Sequence, residues 1–501
     1  MTLPFSRKFM LERMLRADAD YDGQFITGVL STGIYCLPSC KARKPKPENV
    51  VFHASPAEAR ASNMRACKRC RPDDFQGGMD IHGQRLEYLL TTLDLPEIRN
   101  LQTLAAHLRV GHSTLHALFR GYLQTTPAEW LSRRRVTAAC EQLVLTSAPA
   151  AQIAFAEGFE SLSVFGEQFR RWTAMTPQTF RLLPTGKGIC LHLPEGYPVQ
   201  AMLEQIGRDH QETTVRVEGR TCTTGLRLPG GDALLRLTFQ HCRVSAELQR
   251  TLPLTAPEAL TVHETLIQLL GLRTRPTRFE AQALASPTRS RLIRERTGLR
   301  VSLSADRFDG LVWGILGQQV SFKAACLFRR RLLVRTGTPL AEGLYAPPDP
   351  HTLWALGATE LQAATGLTAA RAALLHRVSG LVAGGHLDLR QMELGTAARA
   401  EYTLTAIPGI CPWTARYVLL RVFGFQDVVP SGDSALQSEA QRFFGLSARP
   451  NAPQTEALLA QFSPYRSLAT LHFWQQFAAR AATKPPGRHE PSGRAHAAST
   501  T

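Results

Sequence analysis

Residues 404–436 read LTAIPGICPWTARYVLLRVFGFQDVVPSGDSAL, and they decide how the C-terminal half of the chain is built. Apolar residues on either side of Pro408-Gly409 recur at helical spacing, and the Pro-Gly pair interrupts the run. The stretch predicts a helix, a tight turn, a second helix and then a glycine-containing loop that delivers Asp433. A turn of this kind leaves backbone N–H groups free where the second helix begins. Such groups hold a phosphate, and a monovalent cation at the hairpin is the expected helper. Gly409 and Cys411 are the candidate phosphate-facing positions.

Working outward, the pattern stays helical from about 290 to 480. Between 190 and 275, segments such as TTVRVEG, TTGLRLPG and DALLRLTF alternate apolar and polar positions, which predicts strands. The punctuated run LLPTGKGICLHLPEGYP marks a boundary near 184–198. Residues 84–183 are again helical, with two similar helix-turn-helix units. The first 80 residues are turn-rich and basic. The tail KPPGRHEPSGRAHAASTT offers almost nothing to bury and predicts disorder over 483–501.

At 501 residues the chain exceeds what one core can organise. Lys and Arg outnumber Asp and Glu by 58 to 41, a formal +17 that favours polyanionic partners, nucleic acid first among them. No apolar stretch reaches the length of a signal peptide or a membrane span, so a soluble, cytoplasmic, nucleoid-associated monomer is expected, with no membrane partner. In a reducing compartment, clustered thiols favour metal or chemistry over disulfides. Four of the ten cysteines cluster, as Cys36-x3-Cys40 and Cys67-x2-Cys70. Two close pairs can each cover one edge of a tetrahedral Zn2+ site. A purely structural site and a reactive one both fit that spacing.

The surroundings of the thiols narrow this. DGQFITGVLSTGIYCLPSCKARKPKPENVVF followed by RACKRCRP resembles the N-terminal domain of the Ada adaptive-response family. The resemblance implies that Cys36 accepts a methyl group from a DNA methylphosphotriester while Cys36, Cys40, Cys67 and Cys70 ligate zinc. Loss of one negative charge at the site would raise affinity for phosphates. Lys41, Arg43, Lys44, Lys68, Arg69 and Arg71 flank the cluster and are candidate backbone clamps.

Residues 101–143 and 153–181 resemble the double helix-turn-helix region of the AraC type, with groove-facing helices beginning near His112 and Ser161. Where that family often has arginine, this chain has Ser113, Ala117 and Val164, which leaves few side chains for bidentate contact with guanine. Arg120, Arg133, Arg134, Arg135, Arg170 and Arg171 are the candidate phosphate contacts. RNA polymerase is a further expected partner.

The opening hairpin, with RFDGLVWGILGQQVSFKAA upstream and YRSLATLHFW downstream, resembles the helix-hairpin-helix glycosylases of the AlkA type, 3-methyladenine DNA glycosylase II. The resemblance implies that Asp433 is the catalytic aspartate, stabilising positive charge on the sugar as the N-glycosidic bond breaks. Trp413, Tyr417 and Trp474 fall on pocket positions, where aromatic faces stack on a flipped cationic base. Relatives with lyase activity carry lysine where this chain has Trp413, so a monofunctional enzyme is expected. Gln318 and Gln319 are candidate DNA contacts, Gln319 at the wedge position. Asp306, Asp309 and Asp427 read as caps or surface charges.

The expected fold class is a multidomain, mainly α chain. It comprises a small α+β zinc domain (1–80), a double helix-turn-helix domain (84–183), an α+β subdomain (188–290) and an all-α helix-hairpin-helix glycosylase core (291–482). The expected function is repair of alkylated duplex DNA coupled to a transcriptional response. No cysteine precedes His-Arg, so direct repair of O6-methylguanine is not expected. The alternative is a DNA-binding regulator whose glycosylase part is catalytically silent.

Overall fold

The computed structural model describes residues 3–483 except 4, 19–20, 71, 74–80, 93–97, 99, 187, 251 and 295. Arg71, and the expected tail apart from Thr483, lie outside the described residues.

The N-terminal part is a four-stranded sheet in the order β3-β1-β2-β4, with β1 Ile26–Val29, β2 Ile34–Cys36, β3 Val50–His53 and β4 Arg65–Ala66. One side buries Phe25 and Phe52 against Met10 and Met14 of helix Arg7–Leu15, and the other buries Tyr35, Leu37 and Ala59. β2 and β4 run parallel, pairing Ile34 with Arg65 and Tyr35 with Ala66. That register brings Cys36, the last residue of β2, beside Cys67, which follows β4.

Two helix-turn-helix units follow, joined by the long helix Pro127–Leu145. Helix Leu101–Leu108 starts from a reciprocal Asn100/Thr103 cap and ends at Arg109 in the left-handed region. The groove-facing candidates are His112–Tyr122 and Leu162–Thr173, the second capped by Ser161, which accepts from the Val164 amide. Both begin where the sequence placed them.

An antiparallel five-stranded sheet comes next, ordered β5-β9-β8-β7-β6, with β5 Ile189–His192, β6 Val215–Glu218, β7 Thr221–Leu226, β8 Ala233–Phe239 and β9 Arg243–Gln249. Gly219, with φ +58°, makes the two-residue turn between β6 and β7 possible. The buried face of this sheet packs on Val262 and Leu266 of helix Ala256–Leu269. The same core continues into the second helix-turn-helix unit through Phe165, Phe169 and Phe180. His263 seals the junction: its Nε2–H donates to the Thr173 carbonyl at 2.8 Å, and its ring meets Phe180 edge-on at 4.7 Å. The punctuated stretch near 184–198 thus bridges two parts that share one apolar core.

The C-terminal part is helical, built around helix Arg307–Leu316, which is buried along most of its length. Asp306 caps that helix as expected, accepting from the Asp309 amide at 2.8 Å. Asp309 is no surface charge. It and Asp209 hold the fully buried Arg329, with nitrogen–oxygen distances of 2.6 and 3.2 Å, and so tie the sheet subdomain to the helical core. Asp427 likewise takes Arg466 in a two-pronged pair at 2.7 and 3.0 Å. Removing Asp309 from the buried pair with Arg329 strands a charge, a loss of about 3–5 kcal/mol.

Candidate active site and metal centre

At the N-terminal site, the ligand atoms of Cys36, Cys40, Cys67 and Cys70 all lie within 4.8 Å of one another. Backbone hydrogen bonds set the thiols there. The Cys67 amide donates to the Tyr35 carbonyl at 2.9 Å, Cys40 closes a turn onto Leu37 at 3.1 Å, and the Leu37 amide donates to Cys70 Sγ at 3.4 Å. Asp22 pins the intervening loop through the Ser39 amide at 2.9 Å. Hydrogen bonds from Cys36 and Cys70 favour the Cys40 thiolate, while bonds to Cys40 and Cys70, together with burial, push the Cys36 thiol up. Four thiolates this close require a compensating dication, and a four-sulfur tetrahedral cage fits Zn2+.

Cys40 and Cys67 are buried, whereas Cys36 and Cys70 are half-exposed. Arg43, Arg69, Lys41 and Lys68 are exposed around the cluster. Arg69 also donates to the Lys41 carbonyl at 3.0 Å, linking the two cysteine loops. Lys44 turns inward instead, donating to the carbonyls of Met14 and Cys40, so its role is to hold the loop.

The helix-turn-helix arginines divide in the same way. Arg120 and Arg170 are exposed. Arg171 pairs with Glu129 at 2.8 Å, Arg134 lies over Trp130, Arg135 over Phe159, and Arg133 approaches Glu393 at 3.9 Å. These four make contacts within the protein and are half-buried. A cavity of about 440 Å³ lies beside them, lined by Glu129, Trp130, Arg133, Arg273, Arg307 and Glu393, away from Asp433. Its charges largely pair with one another.

The C-terminal site is set by the hairpin. Helix Ala397–Thr405 ends before the turn, Gly409 sits at φ +102°, and helix Pro412–Arg421 begins at Cys411. A side chain at Gly409 would meet the Leu374 methyls at 3.3 Å in a backbone region closed to L-residues. Cys411 is extended, with φ −84° and ψ 162°, so that position does not need glycine. Gln318 is committed to this turn: its Nε2 donates to the Gly409 carbonyl at 3.1 Å and to Thr414 Oγ1 at 2.9 Å. Arg371 and Arg377 donate to the Gln318 and Pro408 carbonyls at 2.6 and 2.8 Å. Gln319, by contrast, is exposed and stands at φ +52°, a strained conformation for a residue with a side chain.

Asp433 caps helix Ser434–Phe444, its Oδ1 accepting from the Leu436 amide at 2.8 Å. The same oxygen accepts from Trp474 Nε1 at 3.0 Å, and Oδ2 accepts from Trp413 Nε1 at 3.2 Å. Trp413 in turn stacks on Tyr417, with centroids 5.5 Å apart and planes 27° apart. The four residues singled out around the reaction therefore converge. A half-buried carboxylate, held by two indole N–H groups and a helix N-terminus, stands at an aromatic wall beside the hairpin turn. Such a carboxylate can stabilise a sugar cation.

Sequence reasoning missed the far side of that wall. Trp313 and Phe322 stack at 5.8 Å, and Arg208 reaches Tyr417 Oη at 2.6 Å. Arg208 follows helix Val199–Ile206 in the sheet subdomain, and no local pattern marks it as a neighbour of Tyr417.

Fold and sites together define a helix-hairpin-helix base-excision protein that carries a four-cysteine metal centre and a helix-turn-helix region. Residues 10–73 match the metal binding domain of Ada, residues 104–182 a helix-turn-helix domain, and residues 312–464 the HhH-GPD superfamily of base excision DNA repair proteins. A Mycobacterium tuberculosis protein named probable bifunctional transcriptional activator/DNA repair enzyme AlkA is 28% identical over 490 residues, covering 92% of this chain and 96% of the relative. The bifunctional transcriptional activator/DNA repair enzyme AdaA of Bacillus subtilis is 32% identical over 174 residues, covering 34% of this chain and 80% of the relative. The 3-methyladenine DNA-glycosylase structure from Archaeoglobus fulgidus shares the fold, with a TM-score of 0.52 and 19% identity over 58% of this chain and 98% of that one. The chain belongs to the family of bifunctional transcriptional activator/DNA repair enzymes, with an Ada-type zinc domain and a helix-hairpin-helix glycosylase part.

Proposed function

We propose that the C-terminal half excises alkylated bases of the 3-methyladenine type from duplex DNA by hydrolysis, without strand cleavage. The observation that carries this is the Asp433 carboxylate fixed by Trp413 and Trp474 beside the hairpin. Gly409 and Cys411 offer the hairpin amides to a backbone phosphate, helped by a monovalent cation, and Gln319 fills the gap left by the flipped base. The base enters against Trp413, Tyr417 and Trp474. As the glycosidic bond breaks, its electrons leave with the base, positive charge grows on the sugar, and Asp433 stabilises it while water adds. With tryptophan at position 413, no amine is available there to form an imine with the opened sugar.

For the N-terminal half, we propose that Cys36 takes a methyl group from a DNA methylphosphotriester. A carbon–sulfur bond forms, the carbon–oxygen bond breaks, and the phosphodiester leaves as an anion. Zinc held by the four cysteines would keep their sulfurs deprotonated at neutral pH. Cys36 and Cys70 are less buried than Cys40 and Cys67, which favours them as the thiols an external electrophile meets. Arg43 and Arg69 at this site, and Arg120 and Arg170 on the helix-turn-helix units, serve DNA phosphates. Mass spectrometry after incubation with methylphosphotriester DNA should find a gain of about 14 Da, the mass of one CH2, on the peptide containing Cys36. Transfer that persists in C36A but vanishes in C70A would move the acceptor to Cys70.

A further inference from the structure

The cavity of about 440 Å³ beside the helix-turn-helix region lies where three parts of the chain meet. Helix Pro127–Leu145 contributes Arg133, helix Ala256–Leu269 contributes Glu264 and Gln268, and the helical core contributes Arg307, Arg390 and Glu393. Among the described residues, six arginines and four glutamates line it, an excess of two positive charges.

The ion pairs locate that excess. Glu393 takes Arg273 at 2.5 Å and Arg307 at 2.6 Å, and Glu264 takes the same two arginines at 3.0 and 2.9 Å. Two arginines and two carboxylates thus close on one another. Arg133 is left outside this set. It comes only within 3.9 Å of Glu393, its guanidinium makes no hydrogen bond among the described residues, and 39% of its side chain is open. The charge of Arg273, together with burial, pulls it down to about 10. The guanidinium of Arg390, exposed at the cavity, also makes no hydrogen bond among the described residues and acts on Glu264 through its charge. Gln268 adds a third donor: it is 2% exposed, and its Nε2 has no hydrogen-bond partner. Buried amide nitrogens are otherwise almost always paired.

We propose that this cavity binds a phosphate dianion, free or as the monoester of a small molecule, through Arg133, Arg390 and Gln268. Such a group brings close to two negative charges at neutral pH and three acceptor oxygens, which matches the excess charge and the three donors. The volume falls in the range of small-molecule sites, about 300–1,000 Å³. Because the donors come from the helix-turn-helix region, the sheet subdomain and the helical core, the bound anion ties the DNA-binding region to the rest of the chain. The site is separate from Asp433 and from the four cysteines, so it stands or falls apart from both reactions proposed above.

Isothermal titration calorimetry on the full-length protein tests it, with inorganic phosphate and with adenosine 5′-monophosphate, at an ionic strength fixed by chloride. One anion should bind per chain with a Kd below about 1 mM. Tighter binding of the nucleotide assigns the cavity to a monoester, and equal affinity assigns it to free phosphate. Arg133→Met and Gln268→Leu should each weaken binding by about tenfold or more, as each removes one donor to a charged group. Arg335→Met, which removes an exposed charge elsewhere, should leave it unchanged. Without ligand, the thermal midpoint of Arg133→Met should equal or exceed that of the wild type, because a cation beside Arg273 is gone. Should that variant fail to fold, Gln268→Leu, which changes no charge, carries the test. No stoichiometric binding by the wild type, or wild-type affinity in both cavity variants, would overturn the proposal and leave the cavity as an internal ion network.

Discussion

Asp433→Asn separates charge from shape at the centre of the site. Asparagine is as good a helix N-cap as aspartate, so the Leu436 amide keeps its acceptor and helix Ser434–Phe444 should persist. The amide group must then point toward Trp413 Nε1, where Oδ2 now accepts at 3.2 Å, and two donors face each other. One unsatisfied indole N–H costs about 1–3 kcal/mol, which for a chain of this size lowers Tm by only a few degrees. The effect on rate is larger. A carboxylate about 4 Å from a sugar cation, at an effective dielectric near 20, contributes about 4 kcal/mol, or roughly a 10³-fold loss of excision rate. Single-turnover release of methylated base from alkylated duplex DNA measures this, with thermal unfolding as the control. An Asp433→Asn protein that excises within tenfold of wild type would refute the role given to the carboxylate.

Trp474→Phe keeps the ring wall and removes one hydrogen bond to Asp433, so excision should slow roughly tenfold, as an ordinary hydrogen bond is worth about 1–1.5 kcal/mol; the same single-turnover assay reads it. Gly409→Ala places a Cβ at φ +102°, a strain of about 1–3 kcal/mol, and should weaken duplex binding in a titration while leaving metal content at wild-type level. Cys40→Ala should abolish stoichiometric zinc in elemental analysis and expose residues 22–73 to protease, with excision of bases retained. His472, held down to about 3 by burial and by Arg296, stays neutral in the folded protein while the unfolded chain protonates near pH 6.5. Its contribution to stability is therefore present above about pH 6.5 and is lost as pH falls toward 3, a loss of about 5 kcal/mol. His472→Phe, which packs the same site against Phe279, should flatten the acid limb of urea midpoint against pH.

Local chemistry in the sequence was readable where punctuation and spacing force a geometry. Pro408-Gly409 demanded a turn, the cysteine spacing demanded a cluster, and His112 and Ser161 marked helix starts that the structure reproduces. Three features were not legible, and all depend on partners distant in sequence. Gln318 read as a candidate DNA contact, and its bonds to the hairpin about 90 residues later were not readable. Asp309 looked like a first-turn surface acid, yet Arg329 draws it into the core. Arg133, Arg134, Arg135 and Arg171 read as a basic strip for DNA, and their contacts with Glu393, Glu129 and aromatic faces were not readable from that strip. The Gly/Pro-rich boundary near 184–198 was a true break in backbone pattern but not in packing, because Phe165, Phe169 and Phe180 continue the core of the β5–β9 sheet.

The central claim is hydrolysis of a damaged base at Asp433 with no lysine-type lyase step. An end-labelled duplex with a single alkylated purine, incubated with the full-length protein and resolved before and after hot alkali, tests it most directly. The account predicts free base in the supernatant and a strand cut that appears only after alkali. A cut before alkali together with a borohydride-trapped protein–DNA adduct, or no free base at all, would contradict it.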